Sequence, residues 1–464
     1  MEPNASASTV MTAIGNKRKK KSKSKGKSKS KSVSDCSVRN RIVRLKCSVK
    51  NYDWGKRGDE SGVARLYGLN RGVEIEEDKP YAEFWMGTHK NGPSYVSGLP
   101  EKVNGDEGEG KDGGDCGLSL KSWIEQNPCV LGDKVLAKFG SDLPFLSKVL
   151  SVERALSIQA HPDKKLAAVL HKKQPHIYKD ENHKPEMALA LTDFEALCGF
   201  ISHEELKEVF KSVPEIVEVV GRSCADKVLG VNGSDGEKAK DVLHFLFSEI
   251  MTASKDVISE ALSRLISRLN LKNDGIGLTE KEKLALRLET QYPADVGVMA
   301  AFLLNHIKLK PGEALYLGAN EPHAYIYGEC IECMATSDNV VRAGLTTKYL
   351  DVQILCSMLT YKQGFPDILQ GEALDMFTTR YYPPFDEFEV DRCILPKGTE
   401  TVLPSVPSPS IFLVFEGRGM MSTISSKEMI VEGDVLFTPA DSEVSISTTS
   451  GLRLYRTGVN SRLL

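Results

Sequence analysis

The chain reads as a mainly β protein interrupted by a helical insertion, and three patterns carry that reading. Runs of strand-like alternation and strand-rich texture occupy residues 41 to 200 and return from about residue 306. Between them, residues 201 to about 290 change to helical spacing. Finally, the segment Pro311–Leu317 has an echo at Glu432–Thr438, which suggests an internal duplication. The expected organisation is a tail over 1–40, a strand-rich part over 41–200, an insertion over 201–290, a continuation of the first part over 291–365 and a C-terminal β domain over 366–464. A chain of 464 residues is too long for one ordinary core and implies two or three domains.

In the tail, Lys17 to Lys31 carry ten basic side chains among serines and a glycine. Such a segment has nothing to bury and forms no core. It suits a nuclear-localisation signal, a polyanion contact or a solvated extension without a catalytic role, and the last is the simplest. No aromatic residue interleaves with the lysines, so base stacking adds no reason to bind single-stranded nucleic acid. Because the net charge is only −3, the remainder is distinctly acidic. No run of 18 apolar residues supports a membrane span, and no apolar signal core precedes the charged stretch. Ten scattered cysteines do not make a dense disulfide framework, which points to a reducing compartment. Cys330-Ile331-Glu332-Cys333 has redox or zinc spacing but no second such pair, so ordinary packing is expected, with one thiol toward the core and the other away from it.

Arg41 to Val49 alternates as a strand, Glu101 to Gly117 reads as a surface loop, and Leu146–His161 and Met187–Phe200 are strand-rich. Ser202-His203-Glu204-Glu205 and Thr279-Glu280-Lys281-Glu282 have the form of capping boxes that open helices. After a break near Gly230 to Gly236, Val242, Leu243, Leu246, Phe247, Ile250 and Met251 recur at helical spacing, and Val257 to Leu269 repeats the pattern. In the echo, aligned without gaps, His323 falls opposite Val444.

Two distant segments offer metal-binding side chains. Alternation by two puts Ser157, Gln159 and His161 on one face of a strand, and Asn182-His183-Lys184-Pro185-Glu186 follows. Gly318 to His323 supplies the second histidine. Two imidazoles, a carboxylate and an amide oxygen suit a borderline divalent ion with a position left open for substrate, provided a barrel folds the strands together. Gly55-Lys56 lacks the flanking glycines of a phosphate-binding loop, so no nucleotide is implied.

Tyr52-Asp53-Trp54-Gly55, Ala82 to His89, Ser157 to Lys164, Asn182 to Glu186, Gly318 to Tyr325 and Ile331 to Gly344 together resemble the type I, eukaryotic mannose-6-phosphate isomerases, in the same order along the chain. The resemblance implies a cupin (jelly-roll) catalytic domain and a zinc-dependent enzyme interconverting mannose 6-phosphate and fructose 6-phosphate, supplying the route to GDP-mannose. It makes Gln159, His161, Glu186 and His323 the ligands of one Zn2+. Glutamine is a weak neutral donor there and leaves the metal more Lewis-acidic than a third histidine would. Arg342 matches the residue held catalytic, a planar guanidinium suited to an enediolate. Lys184, two residues before Glu186 and near a dication, is a candidate acid–base group, with Glu332 and Asp338 as rivals. Ser157 and Lys148 match phosphate contacts, and Lys348 is a further candidate. His183 is placed to line the pocket; the other histidines outside the ligand set read as ordinary polar groups.

The C-terminal echo also resembles the Gly-acidic-strand unit of cupins and implies a second, degenerate jelly roll that has lost its ligand and serves as scaffold. Sugar phosphates are the expected partners, with no nucleic acid or membrane required. A cytoplasmic monomer is expected, nuclear entry depending on the tail. The alternatives are another metal-dependent cupin, such as an iron dioxygenase, against which the motifs at Asn182–Glu186 and Asp338–Gly344 argue, or an inactive sugar-binding cupin, against which the retention of every expected ligand and of Arg342 argues.

Overall fold

The computed structural model describes residues 38, 40–98, 117–231, 236–273, 277–462 and 464. The basic tail and nearly all of the Glu101–Gly117 stretch lie outside the described residues. No helix among those described is long and apolar enough to cross a membrane.

The strands form two assemblies of eleven, and neither closes on itself among the described residues. In the first, one layer runs Ile368–Leu369, Ala314–Leu317, Glu186–Ala190, His323–Ala335, Phe145–Val152, Glu83–Met86 and Ser48–Lys50. Val341–Gly344, Ile158–Ala160, Phe194–Phe200 and Leu304–Leu309 make a second layer around the start of His323–Ala335. That 13-residue strand belongs to both layers. His323–Tyr327 pair with Ile158–Ala160 and Phe194–Phe200, whereas Gly328–Ala335 pair with Phe145–Val152 and Glu186–Ala190. The change of layer falls at Gly328, whose φ of 104° suits glycine and whose missing Cβ leaves room for the Asp193 carbonyl. Between the layers Leu150, Val152, Ala188 and Ala190 meet Ala196, Cys198, Ile307 and Leu309 in one core.

Both capping boxes are present: Ser202 with Glu205 starts His203–Ser212, and Thr279 with Glu282 starts Glu280–Gln291. The apolar stripe of Leu243, Leu246, Phe247, Ile250, Ile258, Leu262, Leu265 and Leu269 is buried in a core that continues into Ile158, Ala160, Val341 and Ala343. The insertion thus backs the strands that carry Gln159 and Arg342. Val257, included in the stripe from its spacing, is 43% exposed at its edge. Helical structure runs past 290 through Val296–Ala300 and Ala301–Leu303. Gly297 to Leu303 are all buried and Val296 is partly so, so no amphipathic period marks them. Short helices at Gly62–Arg71, Leu120–Gln126, Asp133–Phe139 and Lys164–Lys173 also punctuate the strand-rich first part.

The second assembly encloses its own core of Phe412, Val414, Met421, Ile430, Leu436, Val444, Ile446 and Leu454. The echo holds in register: Ala314–Leu317 and Val435–Thr438 are both strands, each two residues after a positive-φ glycine, Gly312 or Gly433. His323 and Val444 each open the strand that follows, and Val444 is 3% exposed, an apolar core residue at the position of a ligand. The first strand, Val43–Lys46, pairs with Val435–Phe437 and so joins the chain's beginning to the C-terminal assembly. Alternation specifies a face, not a partner strand.

Candidate active site

The turn before His323 is clamped to His161, the residue that follows the strand Ile158–Ala160. Asn320, at φ 61°, donates its backbone N–H to the His161 carbonyl at 2.8 Å, and its side chain exchanges hydrogen bonds with Asp163 at 3.2 and 3.1 Å. Glu186 opens the facing strand. Its Oε1 lies 3.4 Å from His161 Nε2 and its Oε2 3.4 Å from His323 Nε2, with the two imidazole centroids 5.0 Å apart. All three side chains are about 1% exposed.

The tautomers are set from behind. His161 Nδ1–H donates to the Asn339 carbonyl at 2.7 Å and His323 Nδ1–H to the Glu321 carbonyl at 3.1 Å, leaving both Nε2 lone pairs aimed inward. Burial, aided by Lys184, brings the His161 pKa down to about 4, which keeps it neutral. Burial pushes the Glu186 carboxyl up, but Lys184 and His161 outweigh it and hold it well below its ordinary range. Both Nε2 atoms and both Glu186 oxygens are buried without a hydrogen bond. Lys184 Nζ comes within 2.8 Å of Glu186 Oε1, an ion pair without hydrogen-bond geometry. Four orphaned acceptors within ligand reach of one centre are costly unless a cation occupies it, so these residues fit a divalent metal.

Gln159 stands directly opposite His323 on one side and Arg342 on the other. Directly opposed residues of antiparallel strands share a face with Cβ atoms about 5 Å apart. His323, Gln159 and Arg342 therefore form one row, while Ile158 and Ala160 point into the insertion core. Ser157, just before the strand, is half-buried like Gln159. Arg342 is also half-buried, and the only effect on its pKa is a lowering by burial. Its side chain makes no hydrogen bond or ion pair among the described residues, and Asp338 is not its partner.

A second row crosses the facing layer. Trp85, Lys148, Glu332 and Ala188 are consecutive cross-strand partners, with Glu332 on the same face as Glu186. Lys148 Nζ lies 2.7 Å from Glu332 Oε2, 3.4 Å from Glu83 Oε2 and 4.9 Å from the centroid of the Trp85 ring. Trp85 Nε1–H donates to the same Glu83 oxygen at 2.5 Å. Burial works against the Lys148 charge, but Glu332 and Glu83 outweigh it and raise its pKa. Burial raises Glu332, with Lys148 opposing and Glu186 reinforcing. Lys148, expected at the phosphate, is thus engaged with two carboxylates. Asp338 is a quarter exposed and accepts from Asn91 Nδ2 at 3.0 Å and from His89 Nε2–H at 3.2 Å; the His89 contact, against burial and with help from Lys90 and Lys184, holds its pKa down. Lys348 is exposed on the loop after Val341–Gly344.

His183, expected to line the pocket, is half-buried and hydrogen-bonds Glu387 at 2.6 Å. Cys330 and Cys333 are both free and buried, so the expectation that one faces outward is corrected. The strand is covered on both sides, the outer face meeting the C-terminal assembly where Thr457 Oγ1 and Ser147 Oγ lie 3.0 Å apart. Glu83, Trp85 and the Asn339 carbonyl were given no role in advance. Glu83 and Trp85 sit inside the Ala82–His89 motif, and alternation by two already put them on one face.

Comparison with known proteins agrees with this geometry. The model of the type I phosphomannose isomerase catalytic domain matches residues 42–203, and that of the type I helical insertion domain matches residues 220–304. Mannose-6-phosphate isomerase 1 of Arabidopsis thaliana is 56% identical over 426 residues, covering 92% of this chain and 96% of the relative. The mannose-6-phosphate isomerase of Homo sapiens is 40% identical over 420 residues, covering 88% and 96%. A crystal structure of mannose 6-phosphate isomerase from Salmonella typhimurium, bound to its substrate fructose 6-phosphate and zinc, matches with a TM-score of 0.74 at 29% identity over 90% of this chain and 99% of that one. With these likenesses over nearly its whole length, the chain belongs to the type I phosphomannose isomerase family.

Proposed function

We infer that this chain is a zinc-dependent aldose–ketose isomerase that interconverts mannose 6-phosphate and fructose 6-phosphate by moving a proton between C1 and C2. The observation that carries the reading is the juxtaposition of four orphaned acceptors on His161, Glu186 and His323 with an unpartnered guanidinium, Arg342, two positions along the same cross-strand row. Family membership supplies the substrate pair.

Gln159, His161, Glu186 and His323 would hold the zinc ion, which when bound supplies a Lewis acid for polarising a sugar oxygen. Arg342 presents two planar donors to the vicinal oxygens and stabilises negative charge as the enediolate forms. Its lack of an acidic partner leaves that charge available to substrate. Glu332 is the favoured proton-transfer group. It is buried on the Glu186 face, its pKa is raised by burial, and Lys148 holds one of its oxygens at 2.7 Å. Lys184, 2.8 Å from Glu186, orients that carboxylate and is the alternative shuttle, whereas Asp338 is already held by His89 and Asn91. Ser157 and Lys348 are the phosphate contacts we retain; Lys148 acts mainly on Glu332.

The test of this division of labour compares Glu332→Gln with Asp338→Asn. Glu332→Gln should lose proton exchange at C1 and C2 along with turnover while retaining zinc, and Asp338→Asn should keep most of both. The reverse order would overturn the assignment.

A further inference from the structure

Among its described residues the C-terminal assembly has no cluster of metal-ligating side chains, but it touches the catalytic segment at one informative point. Glu387, two residues before the strand Glu389–Leu395, is 6% exposed and accepts a hydrogen bond from His183 Nε2–H at 2.6 Å. His183 immediately precedes Lys184, whose ammonium lies 2.8 Å from Glu186 Oε1. Lys184 in turn precedes Pro185, and a residue before proline is confined to extended backbone. A rotation at His183 is therefore passed on to Lys184 more than it is absorbed.

The rest of this segment is tied down by the catalytic part. The Asn182 carbonyl accepts from Asn339 Nδ2 at 2.9 Å and Ser337 Oγ at 3.1 Å, and Asn182 Nδ2 donates to the Thr336 carbonyl at 3.1 Å. The Pro185 carbonyl accepts from Ala335 N–H at 3.0 Å. Between these anchors the His183 side chain is held from the C-terminal assembly. Glu387 is itself on firm ground: Asn460 Nδ2 donates to the Pro383 and Phe385 carbonyls at 3.1 and 2.8 Å, and the nearby Glu389 accepts from Ser461 N–H at 2.8 Å.

We propose that Glu387 is a positioning residue for the isomerase site, orienting the Lys184 ammonium beside Glu186 through its hydrogen bond to His183. The proposal rests on the isomerase reading above and gives the second assembly a part in the chemistry of the first.

The experiment measures kcat, KM, zinc per chain and thermal midpoint for wild type, Glu387→Ala, Glu387→Gln, His183→Ala and the Glu387→Ala, His183→Ala double variant. Because small misplacements of a catalytic group are costly, Glu387→Ala should lower kcat about tenfold with KM within about twofold. Zinc content should not change. Glu387→Gln keeps an acceptor for His183 and should recover to within about threefold of wild type, which a requirement for charge would not allow. His183→Ala should match Glu387→Ala, and the double variant should be no worse than either, since both remove the same link. The proposal is overturned if Glu387→Ala retains wild-type kcat, if its effect lies in KM alone, if glutamine is as impaired as alanine, or if the two single losses multiply. Should Glu387→Ala fail to fold, His183→Ala alone and combined with Glu387→Gln repeats the comparison, with the same non-additivity expected. An inactive wild type would instead remove the isomerase reading, so the two failures are distinguishable.

Discussion

Replacing Arg342 with alanine separates catalysis from construction more cleanly than any other change at this site. The guanidinium has no acidic or hydrogen-bonding partner among the described residues, so its removal orphans no buried group. Its strand stays paired with Ile158–Ala160, and the backing core of Val341 and Ala343 is untouched. Folding stability should therefore move by less than about 1 kcal/mol, the range of substitutions that break no network. The catalytic effect should be far larger. Losing one preorganised donor at a developing oxyanion costs about 100- to 1,000-fold in kcat, or about 2.7 to 4 kcal/mol in barrier. A coupled assay with mannose 6-phosphate should show that loss in kcat with KM little changed and zinc still bound, since Arg342 is not a ligand. Arg342→Lys should restore little, because an ammonium cannot reproduce the planar fork. A rise in KM alone would make Arg342 a substrate anchor and refute the enediolate role; a loss that tracks zinc content would refute its independence from the metal.

Three further outcomes follow from the geometry. Glu186→Ala or His323→Ala should lose zinc and activity together while the fold persists, as read by metal analysis and circular dichroism; zinc retained at wild-type affinity would contradict the ligand set. Gly328→Ala should destabilise by about 2 to 3 kcal/mol in urea unfolding, because a Cβ there runs into the Asp193 carbonyl at a φ of 104°; a cost below about 0.5 kcal/mol would show that the layer change is not strained. Burial pushes Glu195 up, but His306 at 2.8 Å and Arg287 hold it at about 2. Its stabilisation should be complete above about pH 4.5 and fade as pH falls toward 2, and Glu195→Gln should remove about 1 kcal/mol at neutral pH, discounted for the partial exposure of the pair. An unchanged acid limb of the stability–pH curve would contradict that assignment.

How much of this was legible depended on the range of the interactions. Capping boxes at Ser202 and Thr279 are local chemistry and could be read directly. The alternation of Ser157, Gln159 and His161 already implied a shared face, and the offset of the Gly433 echo correctly paired Val444 with His323. Where the outcome turned on a distant partner, residue order was silent. Val43–Lys46 alternates like the strands that follow it in sequence yet pairs with Val435–Phe437, with Phe437 opposite Val43 and 394 residues further on. Lys148 offered a charge suited to phosphate, but cross-strand register put Glu332 beside it and Trp85 on its other side. The helix Val296–Ala300 is apolar on every side and so carries no period to detect. One of Cys330 and Cys333 was expected to face away from the core, but both are buried because the second face is covered by the other assembly, a fact of packing alone.

The most direct test of the central claim is a coupled assay of fructose 6-phosphate formation from mannose 6-phosphate by the full chain, before and after exhaustive chelation. The geometry of His161, Glu186 and His323 predicts turnover that chelator abolishes and that added zinc restores best among divalent ions. Undiminished isomerisation by metal-free protein, or no isomerisation by the zinc-loaded protein, would contradict it.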